Sequence, residues 1–150
     1  MRTKLITAVL LIFTWTTSFS QGHIDHIKNQ EYLKSKNEVD CNNPLNENTS
    51  DLDRVCANLA FQKSDSLLTV VYDSLLLKAK THHIDSLEYK IIQMQTTWRS
   101  FRDQHCAIIY DKYEGCGGCH LRAINYLYCL KELTENRIKE LKMLSDNLTY

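Results

Sequence analysis

A C-x-x-C-H motif, the spacing that attaches c-type haem, is formed by Cys116, Cys119 and His120. In that attachment the two thiols bond the porphyrin vinyl groups and the histidine ligates the iron. The two thiols also fit a redox-active dithiol, but such motifs sit beside a βαβ unit and no strand-like alternation occurs here. For an exported chain, the simpler outcome is a small local disulfide or the pairing of one of these cysteines elsewhere. We expect such a disulfide and no cofactor, with a haem or metal-binding redox protein as the alternative.

Two histidine groups have the residue types of metal ligands. They are His23 with His26, and His82-His83 followed by Asp85. The first pair falls in a polar arm and the second at a predicted helix end, where a cation is favoured by the helix dipole. We therefore read both groups as solvated histidines and predict no metal site.

Asp65, Arg102, Asp103 and Arg137 are the charged residues most easily mistaken for a catalytic acid set. The sequence places no activated nucleophile or polarising group beside them, so no catalytic residue is expected. We predict instead a partly buried network of ion pairs and hydrogen bonds that fixes the register of the helices. The protein is accordingly not expected to be an enzyme.

The start of the chain predicts export. Residues 1–20 read as a signal peptide, with Arg2 and Lys4 before an apolar run too short to span a bilayer, and Ser18-Phe19-Ser20 as the cleavage site. Removing the two cations leaves 16 basic against 18 acidic residues, a net charge of −2, which argues against a nucleic-acid binder. Six cysteines in an exported chain predict disulfides and a secreted or periplasmic location, without a membrane span after signal removal.

The elements that must position these residues are helices. Residues 21–40 are polar and read as an arm or frayed helix, and residues 51–114 contain neither glycine nor proline. Two helices of about 28 to 30 residues fit this region, and a third follows the glycine-rich turn. Short turns between three long helices predict an all-α, up-down-up antiparallel bundle over residues 41–147.

The apolar spacing predicts which side of each helix is buried. The predicted stripe of the first helix comprises Leu52, Val55, Cys56, Leu59, Leu67, Val70, Val71 and Leu75. That of the second comprises Ile91, Met94, Trp98, Phe101 and His105, with Arg102 at the edge. That of the third comprises Leu121, Ile124, Tyr128, Leu133, Arg137, Leu141 and Leu144.

Antiparallel packing brings four cysteines to one end of such a bundle. They are Cys41, Cys56, Cys106 and Cys129, with Cys116 and Cys119 as a separate pair in the turn. Four cysteines allow three connectivities, and the sequence does not choose among them. The bundle permits a Cys106–Cys129 bridge between two helices.

Three motifs together resemble the LprI-like lysozyme-inhibitor N-terminal family. The first combines Asp40-Cys41, Val55-Cys56 and Asp65-x-x-Leu68-x-x-x-Tyr72; the second is Gln95-x-x-Trp98-x-x-Phe101-Arg102-Asp103-x-x-Cys106; the third follows the turn as Cys129-Leu130-x-x-Leu133-Thr134-x-x-Arg137-x-x-x-Leu141. The family's turn is usually rich in glycine and serine, whereas a cysteine pair brackets two glycines here.

The resemblance implies an exported helical domain that binds and inhibits lysozyme. The candidate surface for lysozyme, or for another envelope or secreted protein, is the turn, because a constrained loop loses little entropy on binding. It comprises Lys112, Tyr113, Glu114, Gly115, Gly117 and Gly118 together with the cysteine pair. An envelope-associated structural or interaction module with another partner is a further alternative.

Overall fold

The computed structural model describes residue 41 and residues 49–81, 86–112, 115–116 and 120–148. These residues form three long helices, α1 (Thr49–Thr81), α2 (Leu87–Asp111) and α3 (His120–Asn147). The predicted signal peptide and N-terminal arm, residues 1–40, lie outside the described residues, as do His82, His83 and Asp85. The antiparallel three-helix bundle predicted from the sequence is confirmed.

The local sequence explains the helix lengths. The absence of glycine and proline lets α1 run for 33 residues, longer than expected, and Lys78 and Lys80 lie in its last turn, where cations favour the carbonyl end of the helix dipole. The second helix has 25 residues and places Glu88 in its first turn. The third helix has 28 residues and contacts both of the others, so it forms the centre of the packing.

Two apolar clusters fill the space between the helices. The turn-end cluster is built around Ala57, Phe61, Cys106, Tyr110, Tyr126, Leu127 and Leu130. The far-end cluster is built around Leu68, Leu75, Ala79, Ile91, Ile138 and Leu141, with Trp98 packed against it. Polar residues lie between the two clusters on every helix: Ser64 and Asp65 on α1, Arg102 and Asp103 on α2, and Thr134 on α3. A polar layer therefore crosses the bundle between two apolar halves.

The structure corrects the expected buried stripe of α2. Its buried residues are Ile91, Gln95, Arg102, Cys106 and Tyr110. Phe101 is 53% exposed, and His105 is exposed as well. The prediction was wrong because it followed the apolar residues alone. The helix is instead rotated so that a buried amide and guanidinium meet partners on the other helices, while the Phe101 and His105 rings contact each other outside, 5.5 Å apart.

In α1 and α3, too, some residues that were predicted to be buried are exposed. Leu67 and Val70 of α1 are exposed, although their spacing suggested a core position. In α3, Leu121 and Tyr128 are exposed, whereas the predicted Ile124, Arg137 and Leu141 are buried. Val55 and Leu75 of the predicted α1 stripe are buried, so the errors concern single positions within the predicted stripes.

Candidate functional site

The polar layer is centred on Arg102, a buried residue with 6% of its surface exposed. Its Nη1 donates to Asp65 Oδ1 at 2.7 Å and to Thr134 Oγ1 at 3.2 Å, and its Nε donates to Asp103 Oδ1 at 3.0 Å. One guanidinium thus joins α1, α2 and α3 at a single level. Since its charge is paired with two carboxylates, burying it costs far less than burying an isolated cation.

A second arginine extends the network along α3. Arg137 Nε donates to Oε1 of the buried Gln95 at 3.1 Å, and its Nη1 donates to Glu140 Oε2 at 2.8 Å. The Trp98 ring lies close to both guanidinium groups, 5.3 Å from that of Arg102 and 5.5 Å from that of Arg137. Trp98 therefore contributes cation–π contacts to two arginines as well as apolar area.

Six of the predicted motif residues come together in this network: Asp65, Gln95, Trp98, Arg102, Asp103 and Arg137. The seventh, Tyr72, is partly buried and packs against the far-end cluster. Of its ion pairs, Arg102–Asp65 crosses between helices, whereas Arg102–Asp103 and Arg137–Glu140 each lie within one helix. Phe61, whose ring lies 5.5 Å from the Arg102 guanidinium, and Thr134 also belong to it. Sequence reasoning missed their contacts with Arg102, since Phe61 reads as ordinary core.

The cysteines form the covalent part of the architecture. Cys41 is bonded to Cys56, with Cα atoms 5.6 Å apart, and Cys106 is bonded to Cys129, with Cα atoms 5.7 Å apart. The first bridge ties the chain before α1 to that helix, and the second joins α2 to α3. The structure thereby selects one of the three connectivities left open and confirms the bridge between helices.

The turn is described only in part. Cys116 is exposed and disulfide-bonded, and none of the described cysteines is free. Cys119 and the side chain of His120 lie outside the described residues. A sulfur held in a disulfide cannot at the same time form the thioether of a c-type haem, so the Cys116 bridge favours the disulfide over the haem alternative.

Gly115 is the residue that lets the chain turn. Its φ is +87°, in the left-handed region that side chains with a Cβ rarely adopt. Lys112, Gly115 and Cys116 are all exposed, so these described parts of the predicted partner loop face outward. Tyr113, Glu114, Gly117 and Gly118 lie outside the described residues.

Arg122 anchors the two helix ends that the turn connects, and sequence reasoning missed it entirely. Its Nε donates to the Tyr110 carbonyl at 2.8 Å, and its guanidinium carbon lies 3.8 Å from the centre of the Tyr110 ring. Its Nη2 also lies 3.7 Å from Asp111 Oδ1. The signal that could have pointed to this contact is an arginine in the first turn of a helix that follows a glycine turn.

A shallow groove lies beside the turn, between the end of α2 and the start of α3. Ile109, Cys129 and Tyr128 supply its apolar lining, and Lys112, Asn125 and Glu132 supply polar groups. In the described part of the chain, no group of three or more His, Cys, Asp or Glu side chains is placed to hold a metal ion. Within the same residues, no helix has an apolar stretch long enough to cross a bilayer.

Comparison with known proteins gives one family. The family model described as Lysozyme inhibitor LprI matches residues 41–141, about two thirds of the chain. Searches of curated proteins and of solved structures return no match. The matched range begins at Cys41, includes both complete disulfides and the whole polar layer, and ends in α3. This chain belongs to the lysozyme inhibitor LprI family.

Proposed function

We propose that this protein is an exported, non-enzymatic inhibitor that binds lysozyme through its disulfide-bonded helical domain. The observation that carries the proposal is the family match over residues 41–141. An inhibitor needs a rigid surface rather than reactive groups. The bundle supplies rigidity through three helices, a buried polar layer, the Cys106–Cys129 bridge between two helices and the Cys41–Cys56 bridge before α1.

The disulfides support an exported location. Bridges such as Cys41–Cys56 and Cys106–Cys129 persist in oxidising compartments and are rare in a reducing cytosol. The predicted signal peptide at residues 1–20 also supports an exported location. A periplasmic or secreted protein would also meet lysozyme where that enzyme attacks the cell wall.

The lysozyme-binding surface is proposed to be the Lys112–His120 turn. Arg102 and Gln95, two polar residues of the family motif, are buried in the polar layer and are hidden from a partner. The described residues of the turn, Lys112, Gly115 and Cys116, are exposed instead, and the Cys116 disulfide constrains the chain there. A loop fixed in this way loses less conformational entropy on binding than a free loop does.

An inhibition assay tests the proposal directly. The oxidised protein without residues 1–20 is added in increasing amounts to lysozyme, and lysis of a cell-wall suspension is followed by turbidity. We expect inhibition that depends on dose and that is lost when the protein is reduced and alkylated. Full lysis at a large molar excess of folded protein would rule out the inhibitor function and favour a module with another envelope partner.

The location of the surface needs a separate comparison. The double variant Cys116→Ser/Cys119→Ser removes the Cys116 disulfide together with its predicted partner cysteine, and it leaves Cys106–Cys129 in place. We expect roughly tenfold weaker inhibition, since the freed turn must be ordered on binding. Equal inhibition by this variant and the wild type would exclude a role for the turn's constraint in binding.

A further inference from the structure

We propose that Arg122 is a positioning residue that fixes both ends of the Lys112–His120 turn and so sets how tightly the turn binds its partner. This inference rests on the proposed function for the identity of the partner and for the binding surface at the turn. Its structural part concerns three described neighbours, Tyr110, Asp111 and Arg122, and can be tested without lysozyme.

The contacts of Arg122 join the end of α2 to the start of α3. The carbonyl of Tyr110 lies in the last turn of α2. Arg122 Nε donates a hydrogen bond to this carbonyl at 2.8 Å, and the guanidinium carbon lies 3.8 Å from the centre of the Tyr110 ring. The side chain therefore holds both the backbone and the side chain of the residue nearest to the turn.

Tyr110 connects Arg122 to the apolar core. It is a buried member of the turn-end cluster, and its ring meets that of Tyr126 edge to face, with centres 5.8 Å apart. Asp111, the next residue, lies 3.7 Å from Arg122 Nη2 and adds an attractive charge. The end of α2 is thus held by a stack, a hydrogen bond and an ion pair that all depend on one guanidinium.

Lysine could not replace this arrangement. A lysine ammonium keeps the charge but has neither the flat face that stacks on a ring nor a second donor in a fixed fork. Arg122→Lys therefore removes the geometry and retains the charge, whereas Arg122→Ala removes both. The matched control is Lys142→Ala, which removes a cation from an exposed position near the other end of α3.

The Tyr110 phenol provides a spectroscopic signature of the contact. Burial raises the pKa of Tyr110, and the nearby Arg122 charge partly offsets that rise, while Asp111 adds to it. Loss of the Arg122 charge should therefore raise the pKa of Tyr110 further. Ultraviolet titration of Arg122→Ala, with Tyr110→Phe to identify the band, should show this shift. Arg122→Lys should show a smaller one.

The decisive experiment measures turn order and inhibition on the same variants. We expect the amides of Gly115 and Cys116 to exchange with deuterium roughly tenfold faster in Arg122→Ala, because the end of the turn is released. Inhibition of lysozyme should weaken by roughly tenfold, with an intermediate effect in Arg122→Lys. Lys142→Ala should match the wild type in both measurements, and the melting temperature should fall by only a few degrees.

The exchange and inhibition measurements distinguish failure of this inference from failure of the proposed function. Unchanged exchange at Gly115 and Cys116 in Arg122→Ala would overturn the positioning role whether or not lysozyme is inhibited. Faster exchange with unchanged inhibition would overturn its influence on binding. A wild-type protein without inhibition would refute the proposed function, and the exchange data would still decide whether Arg122 orders the turn.

Discussion

At the scale of single residues, Arg102 does more than any other side chain to join the helices. It contacts Asp65 on α1 and Thr134 on α3, and its guanidinium carbon lies within 5.5 Å of the ring centres of Phe61 and Trp98. Its carboxylate partners remain partly exposed, with 39% of the Asp65 side chain accessible. Solvent therefore screens part of the electrostatic attraction. Arg102 stabilises the fold through hydrogen bonds and stacking as well as through its charge.

Replacing Arg102 by alanine should destabilise the protein by about 2–3 kcal/mol, because it leaves a partly buried carboxylate and a buried hydroxyl without their donor. Urea denaturation measures the free energy of unfolding. Arg99→Ala removes an exposed cation one turn earlier on the same helix and should cost less than about 0.5 kcal/mol. Equal losses in the two variants would show that the polar layer does not stabilise the bundle.

At the scale of elements, the orientation of α2 is set by polar contacts rather than by its apolar residues. Gln95 is only 2% exposed and accepts a hydrogen bond from Arg137, whereas Phe101 faces outward. The helix thus buries an amide and a guanidinium and exposes a phenyl ring. An amphipathic helix usually does the reverse, so the interhelical network must outweigh the apolar area that Phe101 leaves in water.

The orientation predicts contrasting effects for two apolar residues of α2. Ile91→Ala should cost about 2–4 kcal/mol, since Ile91 is buried in the far-end cluster and its loss leaves a cavity. Phe101→Ala should cost less than about 1 kcal/mol, although phenylalanine is the larger side chain. Chemical denaturation of both variants checks the order. A larger loss for Phe101 would mean that α2 is rotated as the apolar spacing alone suggests.

The contact between α1 and α3 includes a carboxylate with a pH-dependent contribution. A hydrogen bond from Lys131 is the largest cause that lowers the pKa of Glu135, and Ser64 of α1 also donates to this carboxylate, at 3.2 Å. Because the folded pKa lies below the unfolded one, Glu135 stabilises the fold above the ordinary carboxyl range. That contribution is lost as pH falls through the folded pKa.

Glu135→Gln should therefore lower stability near neutral pH, and the difference from the wild type should shrink towards zero in acid. Urea unfolding at a series of pH values measures it. Glu132→Gln, on the side of α3 that faces the groove, is the matched control and should give a smaller pH-dependent difference. A Glu135→Gln deficit that stays constant from neutral pH into acid would contradict the ionic contribution.

At the scale of the whole molecule, the described residues hold the bundle together through two apolar clusters, one polar layer and two complete disulfides. The apolar clusters bury hydrophobic side chains between the helices, while Arg102 of the polar layer joins all three helices at one level. Cys106–Cys129 joins two helices beside the turn-end cluster, and Cys41–Cys56 joins a segment to one helix. The two bridges should therefore contribute differently to global stability.

Removing Cys106–Cys129 by a double alanine substitution should cost about 3–4 kcal/mol, from the 23-residue separation it closes and the buried position of Cys106. The corresponding Cys41→Ala/Cys56→Ala variant should cost less, because its loop is shorter and Cys41 is exposed. Thermal and urea unfolding compare the two. A larger loss for the Cys41–Cys56 variant would contradict this assignment.

Much of this architecture could be predicted from local signals. The lack of glycine and proline through residues 51–114 fixed the length of the helical region, and the glycine cluster after Lys112 fixed the turn. In the structure, Arg102 pairs with Asp65 and Asp103, while the ion-pair partner of Arg137 is Glu140, which the motif does not include. Arg122 was missed because its value depends on the carbonyl and ring of Tyr110, twelve residues earlier, which come within reach only when α2 and α3 lie side by side.

By itself, the sequence determined three helices, their order, the turn and the cysteines that could meet at one end, since these follow from backbone propensity and chain connectivity. Only the tertiary structure decided the rotation of each helix, the pairing of Cys106 with Cys129 and the layer around Arg102. The physical reason is that an apolar stripe leaves a helix free to rotate by several tens of degrees at little cost. A buried guanidinium allows only the rotation in which its partners on the other helices lie within hydrogen-bond distance.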